Sequence, residues 1–348
     1  MRPAHPSPPT PADEGQPLAG VPTAREAANA DLLRDRRRLS HVGRYSLKAP
    51  LGEGIFGGVY EAWDPLLSRT VAIRTLQFGL KIASRVAVDR LLLDAAREAG
   101  ELHHRHIVGV LDAGLSAHGV YIVMEHLAGQ DMGRAFDGGW RPTVAEAVRL
   151  ARRVADGLSY AHARGVVHGA VQPGNVFVTR SGRPKLLDVG IARVIDRGPV
   201  PELSGVRIAP AAYQAPETLD TGYSDERTDL YSLGILLYEM LAGRRPHRAE
   251  SIDVLRQSIA QGRHVPLSEW RPDLPSALVQ LVESAMAAER DSRPVSAHAM
   301  ATALRRFSSV EDRASQAAAE ARRSAAPSAA SGRRRHWAVR WAFPSTTW

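Results

Sequence analysis

The sequence predicts an α+β fold of two lobes, a small lobe rich in strands followed by a larger, α-helical lobe. Between Arg44 and Glu125, short runs rich in Val, Ile, Tyr and Trp alternate with Gly and Pro, which is typical of strands and turns. After Gly129, apolar residues recur at the spacing of helices instead. A strand-rich part followed by a helix-rich part indicates two packed regions, which we expect to meet near Met124–Ala128.

The individual elements follow this division. In the small lobe, one helix is predicted at Val86–Leu102 by the spacing of its Leu and Ala residues. The strands of that lobe are predicted at Tyr45–Leu47, Gly58–Trp63, Thr70–Arg74, Ile107–Leu111 and Val120–Glu125. The helices of the large lobe are predicted at Val144–Arg164, Asp229–Ala242, Ser251–Gln261, Leu274–Ala288 and Ser296–Phe307.

Composition divides the chain into three parts. Residues 1–42 are rich in Pro, Ala and charge without lasting periodicity, which predicts a disordered segment. Residues 43–307 form the predicted folded domain, with a boundary between its lobes at 127 and 128. Residues 308–348 are rich in Ala and Arg and read as a basic tail. The Trp and Arg residues of that tail allow weak contact with a membrane interface, although a disordered tail explains them as well.

The bulk numbers exclude several classes of protein. The chain of 348 residues has no cysteine, so disulfides and thiolate metal sites are excluded. No apolar run approaches the ~20 residues that span a bilayer, and we expect a soluble, cytoplasmic protein. The net charge of +8 would suit nucleic acid. However, the charge comes almost entirely from dispersed arginine, so nucleic-acid binding through the basic tails ranks last among the hypotheses.

The segment His168–Asn175 has the frame of a phosphoryl-transfer catalytic loop. A Pro follows the His by five residues, an Asn follows the Pro by two, and the apolar run Val176–Val178 comes next. At the position where such a loop carries an acid, this chain has Ala170. A methyl group cannot accept a proton from a substrate hydroxyl.

Several other motifs stand around this loop in a fixed order. The glycines of Gly52–Val59 let backbone amides approach a phosphate chain. The strand ending at Arg74 follows, then a helix on which Glu98 shares a face with Leu102 and is expected to turn toward Arg74. With Asp188–Gly190 and Ala215–Glu217, the stretch from Arg44 to Phe307 resembles the protein kinase family, in its bacterial, actinobacterial-like Ser/Thr branch.

The resemblance implies a bilobal fold and a nucleotide site between the lobes. ATP contacts would come from Gly52, Gly54, Gly57, Val59, Ala72, Arg74, Glu98, Met124, Glu125, Leu127 and Phe177. Asn175 and Asp188 match the two residues that hold Mg²⁺ in the family, so ATP and Mg²⁺ are possible ligands. Asp229 matches an aspartate that braces the catalytic loop, and Arg293 an arginine that pairs with the residue matching Glu217.

The chain departs from the family at linked positions. Arg74 replaces the ATP-binding lysine, although an arginine can keep the ion pair with Glu98. The catalytic loop is degenerate, and its residues are His168, Gly169, Ala170, Gln172 and Asn175. Gly169, Ala170 and Gln172 replace an arginine, the catalytic aspartate and a lysine, and Pro210 stands where the family has a threonine. In the activation segment, Ser204 is the one Ser or Thr between Ile191 and Gln214.

These losses favour a Ser/Thr pseudokinase that binds ATP weakly or not at all and regulates or scaffolds a signalling complex. The expected partner is a protein, such as an active kinase. The alternative is an atypical active Ser/Thr protein kinase in which another carboxylate or a water replaces the base. A small-molecule phosphotransferase ranks lower, because it would need the missing aspartate too.

Several histidines attract attention without predicting a site. His103, His104 and His106 lie close together after the Glu98 helix, where solvated turn residues are expected rather than a metal site. His162, near the end of a predicted helix, is expected at the surface.

Overall fold

In a computed structural model of the chain, the structure describes residues 40–54, 57–76, 82–117, 119–191, 194, 211–249 and 251–307. Most of the predicted N-terminal segment and all of the predicted basic tail lie outside the described residues, as do Ser204 and Pro210. The predicted α+β architecture of two lobes is confirmed: the described part has an antiparallel sheet and one helix, followed by a helical lobe.

The small lobe is built on a sheet of six strands in the order β1-β2-β3-β4-β6-β5. The strands are β1 (His41–Val42), β2 (Tyr45–Gly54), β3 (Gly57–Asp64), β4 (Arg69–Leu76), β5 (Val110–Ser116) and β6 (Gly119–Glu125). Because side chains alternate along a strand, β4 points Val71 and Ile73 to one face and Ala72 to the other. Both faces are buried there, the first against Tyr45 and the second against the helix of this lobe.

That helix, α1 (Ile82–Gly100), begins four residues earlier than predicted and ends before Leu102. It packs on the sheet through Val88, Leu92 and the alanines at 95, 96 and 99. These positions recur every three or four residues, which places them on one stripe of the helix.

The large lobe contains eight helices within the described residues. They are α2 (Met132–Asp137), α3 (Val144–His162), α4 (Pro216–Thr221), α5 (Glu226–Ala242), α6 (Ile252–Ala260), α7 (Leu267–Trp270), α8 (Ser276–Ala285) and α9 (residues 297–307). Capping boxes start two of them, at Thr143 with Glu146 and at Asp225 with Thr228. The helix α5 is buried on nearly every side, so it forms the centre of the lobe.

A second, small sheet contains the strand that follows the junction of the lobes and the strand that follows the catalytic loop. It consists of β7 (Gly129–Asp131), β8 (Val176–Thr179) and β9 (Pro184–Leu186), paired in that order. A parallel bridge joins Ile107 to Leu186, which ties this sheet to the chain leaving α1. Strands of three or four residues carry too little periodicity to be recognised in a sequence.

Two of the expectations about histidines are wrong. His106 is buried and bonds the carbonyl oxygen of Pro184 at 3.0 Å, and His162 is buried against α5. Burial in the contact between α3 and the small sheet removes His106 from water and lowers its pKa to about 4. None of the helices in the described ranges is long and apolar enough to cross a lipid bilayer.

Candidate nucleotide cleft

A cleft of about 480 Å³ lies between the sheet of the small lobe and the helical lobe. Most of the residues predicted to contact a nucleotide or a metal ion line it. They are Gly52, Gly57, Val59, Ala72, Arg74, Met124, Glu125, Leu127, Asn175, Phe177 and Asp188. Gln172 lines the cleft as well, whereas Glu98 does not. The sequence therefore located the cleft, and the arrangement within it decides what it can do.

The apolar walls of the cleft come from both lobes. Val59 and Ala72 lie on neighbouring strands of the sheet, and Phe177 lies opposite on β8. Met124 and Leu127 stand before and after the point where the chain passes between the lobes. Apolar surfaces on two sides with a polar floor are what a purine nucleotide requires.

The glycine hairpin between β2 and β3 is held close to β4. A Cβ atom added to Gly57 would lie 1.7 Å from the carbonyl oxygen of Thr75, so only glycine fits there. The hydroxyl of Thr75 accepts a hydrogen bond from the Gly58 amide at 3.1 Å. Gly54, which pairs with Gly57 at the end of β2, lies beside this contact. The predicted glycine-rich turn thus serves a close approach of backbone to backbone.

Arg74 forms an ion pair across the cleft with Asp188. Arg74 shares the helix-side face of β4 with Ala72, and Asp188 follows β9 with a left-handed backbone conformation (φ 58°). The Nη1 atom of Arg74 donates to Oδ2 of Asp188, and the two side chains are 19% and 6% exposed. Arg74, which was predicted to bind phosphates, and Asp188, which was predicted to bind a metal ion, therefore neutralise each other's charge.

The expected ion pair between Arg74 and Glu98 is absent from the described structure, and this prediction was wrong. Glu98 is exposed, on the side of α1 that faces away from the sheet. The prediction used the spacing of Glu98 from Leu102, but the helix ends at Gly100 and Leu102 follows it. The buried stripe through Leu92 and Ala99 was the better guide, since position 98 lies off it.

The carboxylate of Glu125, at the junction of the two lobes, is also engaged within the protein. The Oε1 atom of Glu125 accepts hydrogen bonds from Lys185 Nζ at 2.6 Å and from the Gly109 amide at 2.8 Å. The same ammonium donates to the carbonyl oxygen of Ile107 at 3.2 Å. Although Glu125 lines the cleft as predicted, these contacts give its side chain a structural role at the junction of the lobes.

Of the two residues predicted to hold Mg²⁺, Asp188 does not fit that ion in this arrangement, because its carboxylate is paired with a guanidinium. The amide nitrogen of Asn175 donates to the carbonyl oxygen of Ala170 at 2.9 Å, a contact that does not involve its Oδ1. Mg²⁺ needs a near-octahedral set of oxygen ligands, usually including carboxylates that no cation has already taken. Within the described residues, no group of three or more His, Cys, Asp or Glu side chains is placed to hold a metal ion.

The catalytic loop is held by Asp229 of α5, as predicted. Its carboxylate accepts hydrogen bonds from the backbone amides of His168 and Gly169, each at 2.8 Å. The buried His162, which the sequence interpretation had placed at the surface, donates to the same carboxylate at 2.8 Å. Gly169 has a φ of 77°, a conformation that suits glycine. The spacing of His162 from the loop gave no signal of this contact.

Within the loop, His168 and Ala170 contact each other, and neither supplies an acidic side chain. His168 is fully buried, and burial lowers the pKa of its imidazole, which favours the neutral form. Its Nδ1 accepts from the Ala170 amide at 3.2 Å, whereas Nε2 has no hydrogen-bond partner among the described residues. Ala170 itself is buried, 2% exposed. The loop thus keeps its shape through backbone contacts that do not depend on the side chain at 170.

The predicted pair between Glu217 and Arg293 is confirmed. Two parallel hydrogen bonds of 2.6 and 2.8 Å join the guanidinium to the carboxylate. The side chain of Arg293 is 0% exposed and also donates to the carbonyl oxygens of Ala287 and Ala288. Arginine suits this site because its planar fork satisfies several acceptors at once.

Three charged residues that line the cleft were missed by the sequence interpretation, namely Asp131, Arg134 and Asp137. Asp131 caps α2 by accepting from the Arg134 amide at 2.9 Å, and the Arg134 side chain pairs with it at 3.5 Å. A Cβ atom added to Gly52 would lie 3.0 Å from Nη2 of Arg134, so this arginine reaches across to the glycine hairpin. The N-cap pattern of an Asp before a short helix could have identified Asp131.

Comparison with known proteins gives the same picture of the fold. Residues 45–304 match the family described as protein kinase domain. The chain is similar to the kinase domain of PknI from Mycobacterium tuberculosis, with a TM-score of 0.61 and 26% identity over 77% of this chain and 98% of that one. A point mutant of the same domain has a TM-score of 0.60, with 27% identity and the same coverage.

Similar sequences come from several bacteria. A probable serine/threonine-protein kinase of Streptomyces coelicolor is 33% identical over 274 residues, which are 77% of this chain and 40% of that protein. The serine/threonine-protein kinase PknH of Mycobacterium bovis is 33% identical over 271 residues, 77% of this chain and 45% of PknH. PrkC of Bacillus subtilis is 29% identical over 245 residues, 70% of this chain and 37% of PrkC. This chain therefore spans less than half the length of these relatives.

Proposed function

Because this chain belongs to the protein kinase family, in its bacterial serine/threonine branch, we propose that it is a pseudokinase that binds a protein partner in signalling without useful phosphoryl transfer. The observation that carries the proposal is Ala170, a buried methyl group in a catalytic loop whose backbone is held by Asp229. A general base at this position must accept the proton of the substrate hydroxyl, and alanine has no acceptor on its side chain.

Three of the acidic residues that line the cleft already have partners. Asp188 is paired with Arg74, Glu125 with Lys185 and Asp131 with Arg134. Loss of a positioned general base lowers a rate by about 10²–10⁴-fold. From the ~1–100 s⁻¹ typical of kinases, such a loss leaves turnovers of little use in signalling.

A phosphotransfer assay tests the proposal. The purified chain, given ATP, Mg²⁺ and a generic protein substrate, is expected to transfer no phosphate above background. Ala170→Asp alone is expected to stay inactive, because Arg74 still occupies Asp188. Ordinary kinase rates in the unmodified chain, abolished by Asp188→Ala, would show that the proposal is wrong.

An atypical active Ser/Thr kinase is the second candidate, and the retained cleft with Asn175 and Asp188 favours it. In that case a slow, Mg²⁺-dependent transfer would be measured in the unmodified chain. The double variant Ala170→Asp, Arg74→Lys separates the two candidates: activity that appears only in the double variant supports the pseudokinase.

The role we propose is that of a scaffold or regulator of an active kinase or signalling complex, in the cytoplasm. The Ser/Thr kinases similar to this chain support a place in signalling, and the matched part covers less than half of each of them. Co-purification with a partner kinase, and a change in that kinase's rate on adding this chain, would support the role. A weak contact of the basic tail with a membrane, or with nucleic acid, ranks below it.

A further inference from the structure

We propose that Arg74 takes the place of a divalent metal ion in this cleft, so that the chain binds an adenine nucleotide without Mg²⁺. The guanidinium stands beside Asp188, where the family resemblance implies a bridging cation, and it links that carboxylate to the phosphates. The inference rests on the proposed function, because a nucleotide held in this way serves binding rather than transfer.

The first support is that Arg74 has donors to spare. Nη1 donates to Asp188, and no other hydrogen bond or ion pair of this side chain occurs within the described residues. A guanidinium carries five N–H donors in a planar fork, so Nε and Nη2 can serve a second acceptor. The side chain lines the cleft, where a phosphate can reach it. A lysine ammonium is a point charge and would not present two directed edges in this way.

The second support is that Asp188 and Arg74 depend on each other. The stripe of α1 that faces the sheet carries Leu92, Ala95 and Ala99, and Glu98 is exposed, so the helix offers Arg74 no carboxylate there. Asp188 is only 6% exposed, and a buried carboxylate without a cation is strongly destabilising. A Mg²⁺ ion would therefore have to shed water and displace a guanidinium already in contact.

The third support is the match between the cleft and a free nucleotide. Val59, Ala72 and Phe177 provide apolar surfaces for a purine, and the N–H donors of Arg74 that Asp188 does not use lie in the same cleft. A complexed Mg²⁺ ion would occupy the phosphate oxygens to which these donors are directed, so the guanidinium suits the uncomplexed anion. The ligand is thus an adenine nucleotide as the free anion.

Calorimetric titration of the full chain with ATP tests the inference, once with EDTA and once with excess Mg²⁺. The expected result is binding in EDTA, with an affinity that Mg²⁺ leaves unchanged or weakens. A tightening of more than about tenfold on adding Mg²⁺, which is 1.4 kcal/mol, would overturn it. So would the absence of any binding at millimolar ATP in EDTA.

Two variants sharpen the test, because the inference predicts that they change the affinity for ATP in opposite directions. Arg74→Gln is expected to weaken metal-free ATP binding by about tenfold or more, because a charge-assisted hydrogen bond is lost. Arg97→Gln, an exposed residue of α1, is the matched control and should change nothing. Asp188→Asn is expected to tighten metal-free binding severalfold, since a negative charge beside the phosphates is removed. In a metal-dependent site the same substitution weakens binding, and that result would contradict the inference.

The two proposals fail in different ways. Phosphate transfer by the unmodified chain in Mg²⁺ would refute the pseudokinase proposal. Absence of transfer together with ATP binding that requires Mg²⁺ would refute only the role of Arg74. The comparison of EDTA with Mg²⁺ uses the unmodified chain, so it stays decisive even if a variant fails to fold.

Discussion

In the helical lobe, the buried charges of Arg293 and Asp229 each serve several backbone groups, whereas in the nucleotide cleft Arg74 and Asp188 serve each other. The first arrangement holds loops and helix ends in place and is what defines the fold. The second holds no backbone group within the described residues. The difference explains how a catalytic frame can keep its shape around Ala170.

The largest effect is expected from breaking the Glu217–Arg293 pair. Arg293→Met leaves a carboxylate and several carbonyl oxygens without their donor, and breaking a buried pair costs about 3–5 kcal/mol. Urea unfolding would measure the loss. Arg97→Met, which breaks an exposed pair with Asp94, is the control and should cost less than about 1 kcal/mol. Equal losses of unfolding free energy in the two variants would show that the buried pair contributes no more to stability than the exposed one.

A smaller loss is expected from Asp229→Ala. This change removes the acceptor of the His168 and Gly169 amides and of His162. Each buried donor left unsatisfied costs about 1–3 kcal/mol, and with partial relaxation the sum is roughly 3 kcal/mol. Urea unfolding would give the total, and faster hydrogen exchange at the two loop amides would locate it. Unchanged exchange there would mean that Asp229 does not hold the loop.

The free energy of unfolding below about pH 6.5 should depend on His247. Burial, with a smaller effect of His264, lowers the pKa of His247 to about 4, so the folded protein holds it neutral. Its stabilising contribution is complete above the ordinary pKa of about 6.5 and falls by about 2 kcal/mol as the pH drops from 6.5 to 5. The variant His247→Asn should flatten this part of the profile, measured by urea unfolding at each pH. A profile identical to that of the unmodified chain would contradict it.

His264 acts in the opposite direction and provides the comparison. Its hydrogen bond to Glu283, at 2.5 Å, raises the pKa of the imidazole above its ordinary value. The resulting stabilisation is complete below about pH 6.5 and is lost as the pH rises through the raised pKa. His264→Gln should therefore lower the free energy of unfolding below about pH 6.5 and remove the fall in stability as the pH rises through the raised pKa, measured by urea unfolding at each pH.

The smallest effect on stability is expected in the cleft. Asp188→Asn keeps the volume of the side chain and leaves Arg74 beside an open cleft, where water can solvate it. The charge left unpaired is that of Arg74, which lines the cleft, rather than the buried carboxylate of Asp188, so we expect a loss of about 1 kcal/mol, smaller than for a fully buried pair. A loss of unfolding free energy as large as that of Arg293→Met, again measured in urea, would show that Asp188 stabilises the fold as Arg293 and Asp229 do.

Much of the fold could be predicted from the sequence, because motif order and helical spacing are local properties. The loop His168–Asn175, its bracing Asp229 and the Glu217–Arg293 pair all carry their signal in residue type and interval. The cleft followed from the same intervals. These features can be recognised even when the start of a helix or strand is known only to within one or two residues.

The rest depended on distances that the sequence does not contain. Whether Glu98 faces Arg74 depends on the phase of α1, and a single residue turns a side chain by about 100°. The burial of His106 and His162 depends on which distant segments pack over them. The ion pair between Arg74 and Asp188 joins residues 114 positions apart, and either residue had a plausible partner of its own.

The contact of Lys185 with Glu125 has a consequence for how the lobes can move. The ammonium of Lys185, on β9 of the small sheet, donates to the carboxylate of Glu125 at the end of β6 and to the carbonyl oxygen of Ile107. Bending at this junction would lengthen both hydrogen bonds of one ammonium, at 2.6 and 3.2 Å, so a motion that opens the cleft there has to break them together.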